Sequence, residues 1–137
     1  MKSEAFLDTN ILIDALVPAH LDHHARAVRL ISKVSHGDVI LHLSVTVILE
    51  ATFVLTRAYR VPRRDIANEL TNLLHLNNLV IPDEPLIAAT LAFWAQESPL
   101  SFADCYHLVL TSSLGLDSIY SFDRKMGRYP RVERIEP

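Results

Sequence analysis

Short apolar runs recur along this chain, separated by longer stretches in which apolar residues return every three or four positions. The runs cover residues 4 to 8, 38 to 44 ("DVILHLS"), 78 to 82 ("NLVIP"), 117 to 123 ("DSIYSFD") and 132 to 136 ("VERIE"). Between them lie helical patterns. Residues 9 to 16 predict a short helix ended near Pro18, and "HHARAVRLISKVSHG" sets Ala27, Leu30, Ile31 and Val34 on one face before a stop at Gly37. "VTVILEATFVLTRAY" is rich in β-branched residues, but its length favours a buried helix over a strand. Pro62 opens a further helix, residues 84 to 96 another, and "SFADCYHLVLTSSLG" a last one from Ser101 to Gly115. Parallel strands require long crossovers, and helices provide them, so the alternation predicts an α/β sandwich with a mainly parallel sheet. With 137 residues and no linker or repeat, residues 1 to 137 are expected to form a single domain.

Half of the residues are hydrophobic and the mean hydropathy is +0.20, high for a small soluble protein, which suggests that some apolar surface meets a partner or a second copy. The net charge of −3 does not advertise a polyanion ligand, although local basic patches can still serve one. The single cysteine, Cys105, excludes an internal disulfide and reads as a small buried apolar residue. No apolar run approaches the roughly 18 residues of a membrane span, and the start lacks a secretory pattern. A cytoplasmic protein with no membrane role is expected.

Four acids stand in positions that call for explanation. Asp8 closes the first apolar run, and Asp123 closes "SIYSFD", so the two are expected side by side at one sheet edge. Glu50 is flanked by apolar residues inside a helix, where an unpaired buried carboxylate costs several kcal/mol. Asp104 falls in the first turn of the helix that starts at Ser101. In open parallel sheets ligands gather beyond the carboxyl ends of the strands, which gives these acids one possible meeting point. Each also has a plain local role: Asp8 as a helix cap, Asp104 in a capping box, Asp123 capping the turn "DRKMG", Glu50 paired with Arg57. Taken together, carboxylates forced into proximity repel unless a proton or a divalent cation relieves them. Hard oxygen ligands suit Mg²⁺ or Mn²⁺, and the chemistry implied is metal-assisted hydrolysis of a phosphate ester.

The phrases "FLDTNILID", "SVTVILEATFVL", "SFADCYHLVLTSSLG" and "SIYSFDRKM", in this order, resemble a PIN-domain ribonuclease, most closely the VapC toxin branch of toxin–antitoxin systems. The resemblance spans nearly the whole chain. It implies a three-layer α/β/α fold, Mg²⁺- or Mn²⁺-dependent endoribonuclease activity, a homodimer and a cognate antitoxin protein. It also implies catalytic roles for Asp8, Glu50, Asp104 and Asp123, with Asp8, Asp104 and Asp123 as metal ligands. Thr9 and Asn10 match the polar companions of the first acid, and Ser121 the hydroxyl residue before the last. Met126 departs from the aromatic residue often found there, which touches the loop rather than the acids.

Two basic clusters are candidates for RNA phosphates, one with Arg57 and Arg60 beside Arg63 and Arg64, the other with Arg124 and Lys125 beside Arg128 and Arg131. His20, His23 and His24 have metal-like spacing but lack cysteines nearby, and are expected at the surface. His107 is expected as a packed core histidine, and Asp14 on an exposed helix face. Phosphatases of the haloacid-dehalogenase type also place an acid after the first strand, but "DTN" lacks their second acid at residue 10. The remaining rival is a catalytically silent module whose acids hold a structural cation and whose apolar surface binds a protein.

Overall fold

The computed structural model describes residues 2–97 and 99–137. Two compact units are present, one ending at Glu84 and the other starting at Pro85. In the first, β1 (Ser3–Phe6) is followed by α1 (Thr9–Leu16), α2 (Leu21–Ser35), β2 (Val39–His42), α3 (Val45–Arg57), α4 (Arg63–Leu74) and β3 (Leu79–Val80). The strands form a ladder in the order β1-β2-β3, parallel throughout, with Ser3 opposite Val39 and Leu41 opposite Leu79. α1 packs against α2 and α3, α3 against α4, and α2 against β2. Leu12, Val34, Ile48, Leu55, Ile66 and Leu70 are almost wholly buried, so apolar faces with helical spacing do point inward, and Leu41 of β2 is buried with them.

The second unit holds nearly all of α5 (Glu84–Gln96), then α6 (Phe102–Ser113), β4 (Ser118–Tyr120), a 3₁₀ turn at Arg124–Arg128 and β5 (Glu133–Ile135). β4 and β5 pair in parallel, Ser118 opposite Glu133. Trp94 and Phe102 meet edge to face with centroids 6.3 Å apart, and Leu91, Leu100, Cys105 and Leu108 are fully buried. Cys105 is the buried apolar residue its type suggested. Every strand pair is parallel and helices connect the strands, as the alternation required.

Glycine ends two helices for one reason. After α2, Gly37 adopts φ +85°, its N–H donates to Val34 O, and Asp38 N donates to Lys33 O at 2.9 Å. After α6, Gly115 at φ +77° repeats the arrangement, with Leu116 N donating to Thr111 O at 3.1 Å. A left-handed residue at this position lets the chain satisfy the last helical carbonyls, and only glycine adopts it without a Cβ penalty.

The structure corrects the expected boundaries where an acid lies. The first strand stops at Phe6 rather than reaching residue 8, and it is exposed rather than buried, with Phe6 61% accessible. It lies at the edge of its ladder, and burial starts only at Leu7, whose N–H donates to His42 O. β4 likewise stops at Tyr120, three residues before Asp123. The "VTVILEATFVL" segment is the helix its length favoured, although it ends at Arg57 rather than Tyr59.

Candidate active site

Asp8 stands at the N-cap of α1. Its backbone is extended, and its carboxylate accepts the N–H of Thr9 at 2.8 Å through Oδ1. The side chain is exposed, and an ionised carboxylate accepts several hydrogen bonds, so this one contact leaves Oδ2 available. Thr9 is buried, and its Oγ1 has no hydrogen-bond partner among the described residues. Buried hydroxyls are nearly always satisfied, so an orphan directly beside an exposed carboxylate marks a place where a polar ligand fits. Asn10 is exposed.

Glu50 is exposed on α3 and not buried as its apolar flanks suggested. Its neighbours in sequence, Leu49 and Ala51, lie on either side of it around the helix, so apolar flanks in a helix need not mean burial of the residue between. Nor does it pair with Arg57 among the described residues; the Arg57 guanidinium lies over the Phe53 ring, 5.6 Å from its centroid.

Asp104 is the third residue of α6 and completes a capping box. Ser101 Oγ accepts from Asp104 N at 3.1 Å, and Asp104 Oδ2 accepts from Ser101 N at 3.2 Å. Asp123 caps the 3₁₀ turn, its Oδ1 accepting from Lys125 N at 3.0 Å while Lys125 Nζ lies 3.9 Å from Oδ2. Ser121 prepares that geometry, because its Oγ accepts from Asp123 N at 3.0 Å and its carbonyl accepts from Arg134 Nη1 at 2.8 Å. All three aspartates therefore hold the local capping roles open to them, and each is pinned at the start of a helical turn, where backbone N–H groups favour negative charge.

Two of the four acids stand in each unit: Asp8 and Glu50 in the first, Asp104 and Asp123 in the second. Among the described residues, neither unit alone groups three His, Cys, Asp or Glu side chains closely enough to hold one ion. The donor chemistry does fit a hard divalent cation, since the residues offer carboxylate oxygens that their capping bonds do not exhaust.

The basic candidates differ in availability. Arg60, Arg64, Arg124 and Arg131 are exposed, Arg60 at φ +53°, whereas Arg128 lies 3.7 Å from Glu97. Lys125 is drawn toward Asp123. His107 is exposed and not packed in a core. Asp14, expected on an exposed face, has a side chain only 16% accessible that lies 3.7 Å from His23 Nδ1, while its carbonyl accepts from His24 Nδ1 at 2.8 Å. Asp14 also lines a groove of about 870 Å³ between α1 and α2, closed by Val54 and Tyr59 at the end of α3 and lined as well by Arg26, Arg29 and Lys33. The sequence reading passed over that cationic row, although its spacing of three and four residues in "RAVRLISK" is the signal of a single helical face.

An α/β protein in which two acids, Asp8 and Asp123, open helical turns after parallel strands belongs to the class that gathers ligands at the carboxyl ends of its strands. Residues 5–132 match the PIN domain family, and the chain belongs to that family. Its helices and parallel strands are those of the three-layer α/β/α class expected for it. Membership implies a nuclease, and nucleases of this family generally use divalent metal ions. A search of curated proteins found no match. No helix among the described residues is long and apolar enough to cross a membrane.

Proposed function

We propose that this protein is a Mg²⁺- or Mn²⁺-dependent endoribonuclease, the toxin of a VapBC-type toxin–antitoxin pair acting in the cytoplasm. The observation that carries the nuclease reading is the family match, which spans all four acids, three of them fixed at helix starts with carboxylate oxygens to spare. In this reading Asp8, Asp104 and Asp123 hold the ion and Glu50 completes the acidic cluster. When bound, a divalent ion supplies Lewis-acid stabilisation for the charge that develops on the phosphate. Glu50 would orient a water for attack on phosphorus; the bond to the departing sugar oxygen breaks as the new phosphorus–oxygen bond forms, and the proton the water loses is delivered through solvent to that departing oxygen. Thr9, through the N–H it donates to Asp8, and Ser121, through its bond to Asp123, keep their neighbours in position. Exposed apolar side chains, Leu49 and Phe53 one turn apart on α3 among them, support a homodimer and an antitoxin contact.

The rival is a catalytically silent module whose acids hold a structural cation and whose apolar surface binds a protein partner. Incubating the purified chain with single-stranded RNA and Mn²⁺ separates the two. The nuclease reading expects cuts that EDTA prevents and that both Asp8→Asn and Asp123→Asn abolish while their melting curves stay close to wild type. RNA left intact by the wild type, or cut equally by both variants, removes it.

A further inference from the structure

We propose that the groove between α1 and α2 is a binding site for the sugar-phosphate backbone of single-stranded RNA, with Arg29 and Lys33 contacting phosphates and Tyr59 offering a face to a base. The assignment deepens the ribonuclease reading and rests on it for the identity of the polyanion.

The groove's volume, about 870 Å³, lies in the range of sites that take small-molecule and nucleotide-sized ligands. Arg26, Arg29 and Lys33 all line it from α2. Residues three and four apart share a helix face, and the helical rise places Arg29 and Lys33 about 6 Å apart along the axis, on the scale of neighbouring phosphates in an extended strand. Arg26 is already drawn to Asp22, 3.4 Å away. Arg29 and Lys33 are exposed and have no ion pair among the described residues. The one carboxylate in the wall, Asp14, is mostly buried and faces His23. A concave surface thus carries two exposed, unpaired cations against one mostly buried carboxylate on a chain whose net charge is −3, and its local field favours an anion.

Two further features favour a nucleic acid over another polyanion. Tyr59, 38% exposed, lines the same groove, and aromatic faces beside cations form the recurrent platform for unpaired bases. Asn10, the second residue of α1, lines it as well, so the groove reaches the first turn of the helix that Asp8 caps.

The test measures binding apart from cutting, by fluorescence anisotropy of a labelled single-stranded RNA 12-mer in EDTA over a salt series. Arg29→Gln/Lys33→Gln is compared with Lys2→Glu, which changes net charge equally at a residue outside the groove. The groove variant is expected to bind at least about 10-fold more weakly at low salt, with a log–log salt slope shallower by about 1.4, the value for two lost contacts to a single strand. Tyr59→Ala is expected to weaken binding several-fold with an unchanged slope, and Tyr59→Phe to bind as wild type. Both substituted side chains are exposed, so the melting curve of the double variant should match wild type. Unchanged affinity and slope in the double variant, an equal loss in Lys2→Glu, or no wild-type binding overturns the proposal. So does a poly-glutamate probe that binds as tightly and is lost in the same variant, which assigns the groove to an acidic protein segment. Cleavage in Mn²⁺ is scored separately: a wild type that binds through the groove but never cuts refutes the ribonuclease reading alone, and one that cuts without using the groove refutes this inference alone.

Discussion

Asp104 performs one task visibly and another by proposal, and substitution separates them. The capping box gives α6 two reciprocal bonds, Ser101 Oγ to Asp104 N at 3.1 Å and Asp104 Oδ2 to Ser101 N at 3.2 Å. Asparagine keeps an oxygen that can accept from Ser101 N and loses only the charge, worth about 0.3–1 kcal/mol near a helix start. Alanine loses the hydrogen bond too, a further ~1 kcal/mol, so Asp104→Ala should fall about 1–2 kcal/mol below wild type and Asp104→Asn under 1. For a chain of this size each kcal/mol shifts the melting temperature by roughly 3–5 °C. Ser101→Ala removes the partner cap for about 1 kcal/mol but leaves the carboxylate. If the carboxylate serves an ion, Asp104→Asn and Asp104→Ala both lose activity by about 100-fold or more, equivalent to about 3 kcal/mol, whereas Ser101→Ala stays active. Urea unfolding followed by circular dichroism, beside RNA cleavage with Mn²⁺, reads both quantities. An Asp104→Asn protein that cuts at the wild-type rate confines this residue to holding its helix, and an Asp104→Ala protein as stable as wild type refutes the capping arithmetic.

The unpartnered Thr9 hydroxyl makes a second forecast. Thr9→Val keeps the shape and removes a buried polar atom, so it should be neutral or stabilising by up to about 1 kcal/mol in urea while lowering cleavage, and a clear loss of stability contradicts the orphan assignment. Gly115→Ala should cost about 1 kcal/mol although nothing lies within 4 Å of the added Cβ, because φ is +77°. Gly127→Ala, where the nearest atom is 3.9 Å away and φ is not left-handed, should stay within about 0.5 kcal/mol, and equal losses at the two sites refute the backbone argument. Leu91→Ala, at a fully buried position on α5, should lose about 2–5 kcal/mol, measured in the same titration.

Elements with strong periodicity were legible. α5 was expected over residues 84 to 96 and occurs at Glu84–Gln96, and the glycine stops after α2 and α6 lie where a left-handed residue was needed. Strand ends were less so. A strand and the extended N-cap that follows it share backbone conformation and apolar flanks, so Asp8 and Asp123 look like strand termini in sequence, although the strands themselves end at Phe6 and Tyr120. Glu50 misled for another reason: adjacency in sequence is not adjacency on a helix surface. The orphaned Thr9 hydroxyl and the concavity beside Arg29 and Lys33 depend on packing between elements, and packing leaves no mark in a linear pattern.

The account stands on Asp8, Asp104 and Asp123 acting as ligands of a divalent ion. Isothermal titration of Mn²⁺ into wild type, Asp8→Asn, Asp104→Asn and Asp123→Asn tests it most directly. Each substitution should weaken Mn²⁺ binding about 10-fold or more at a single class of site while the folded signal persists. Wild-type Mn²⁺ affinity in Asp8→Asn, or in both variants of the second unit, would contradict it.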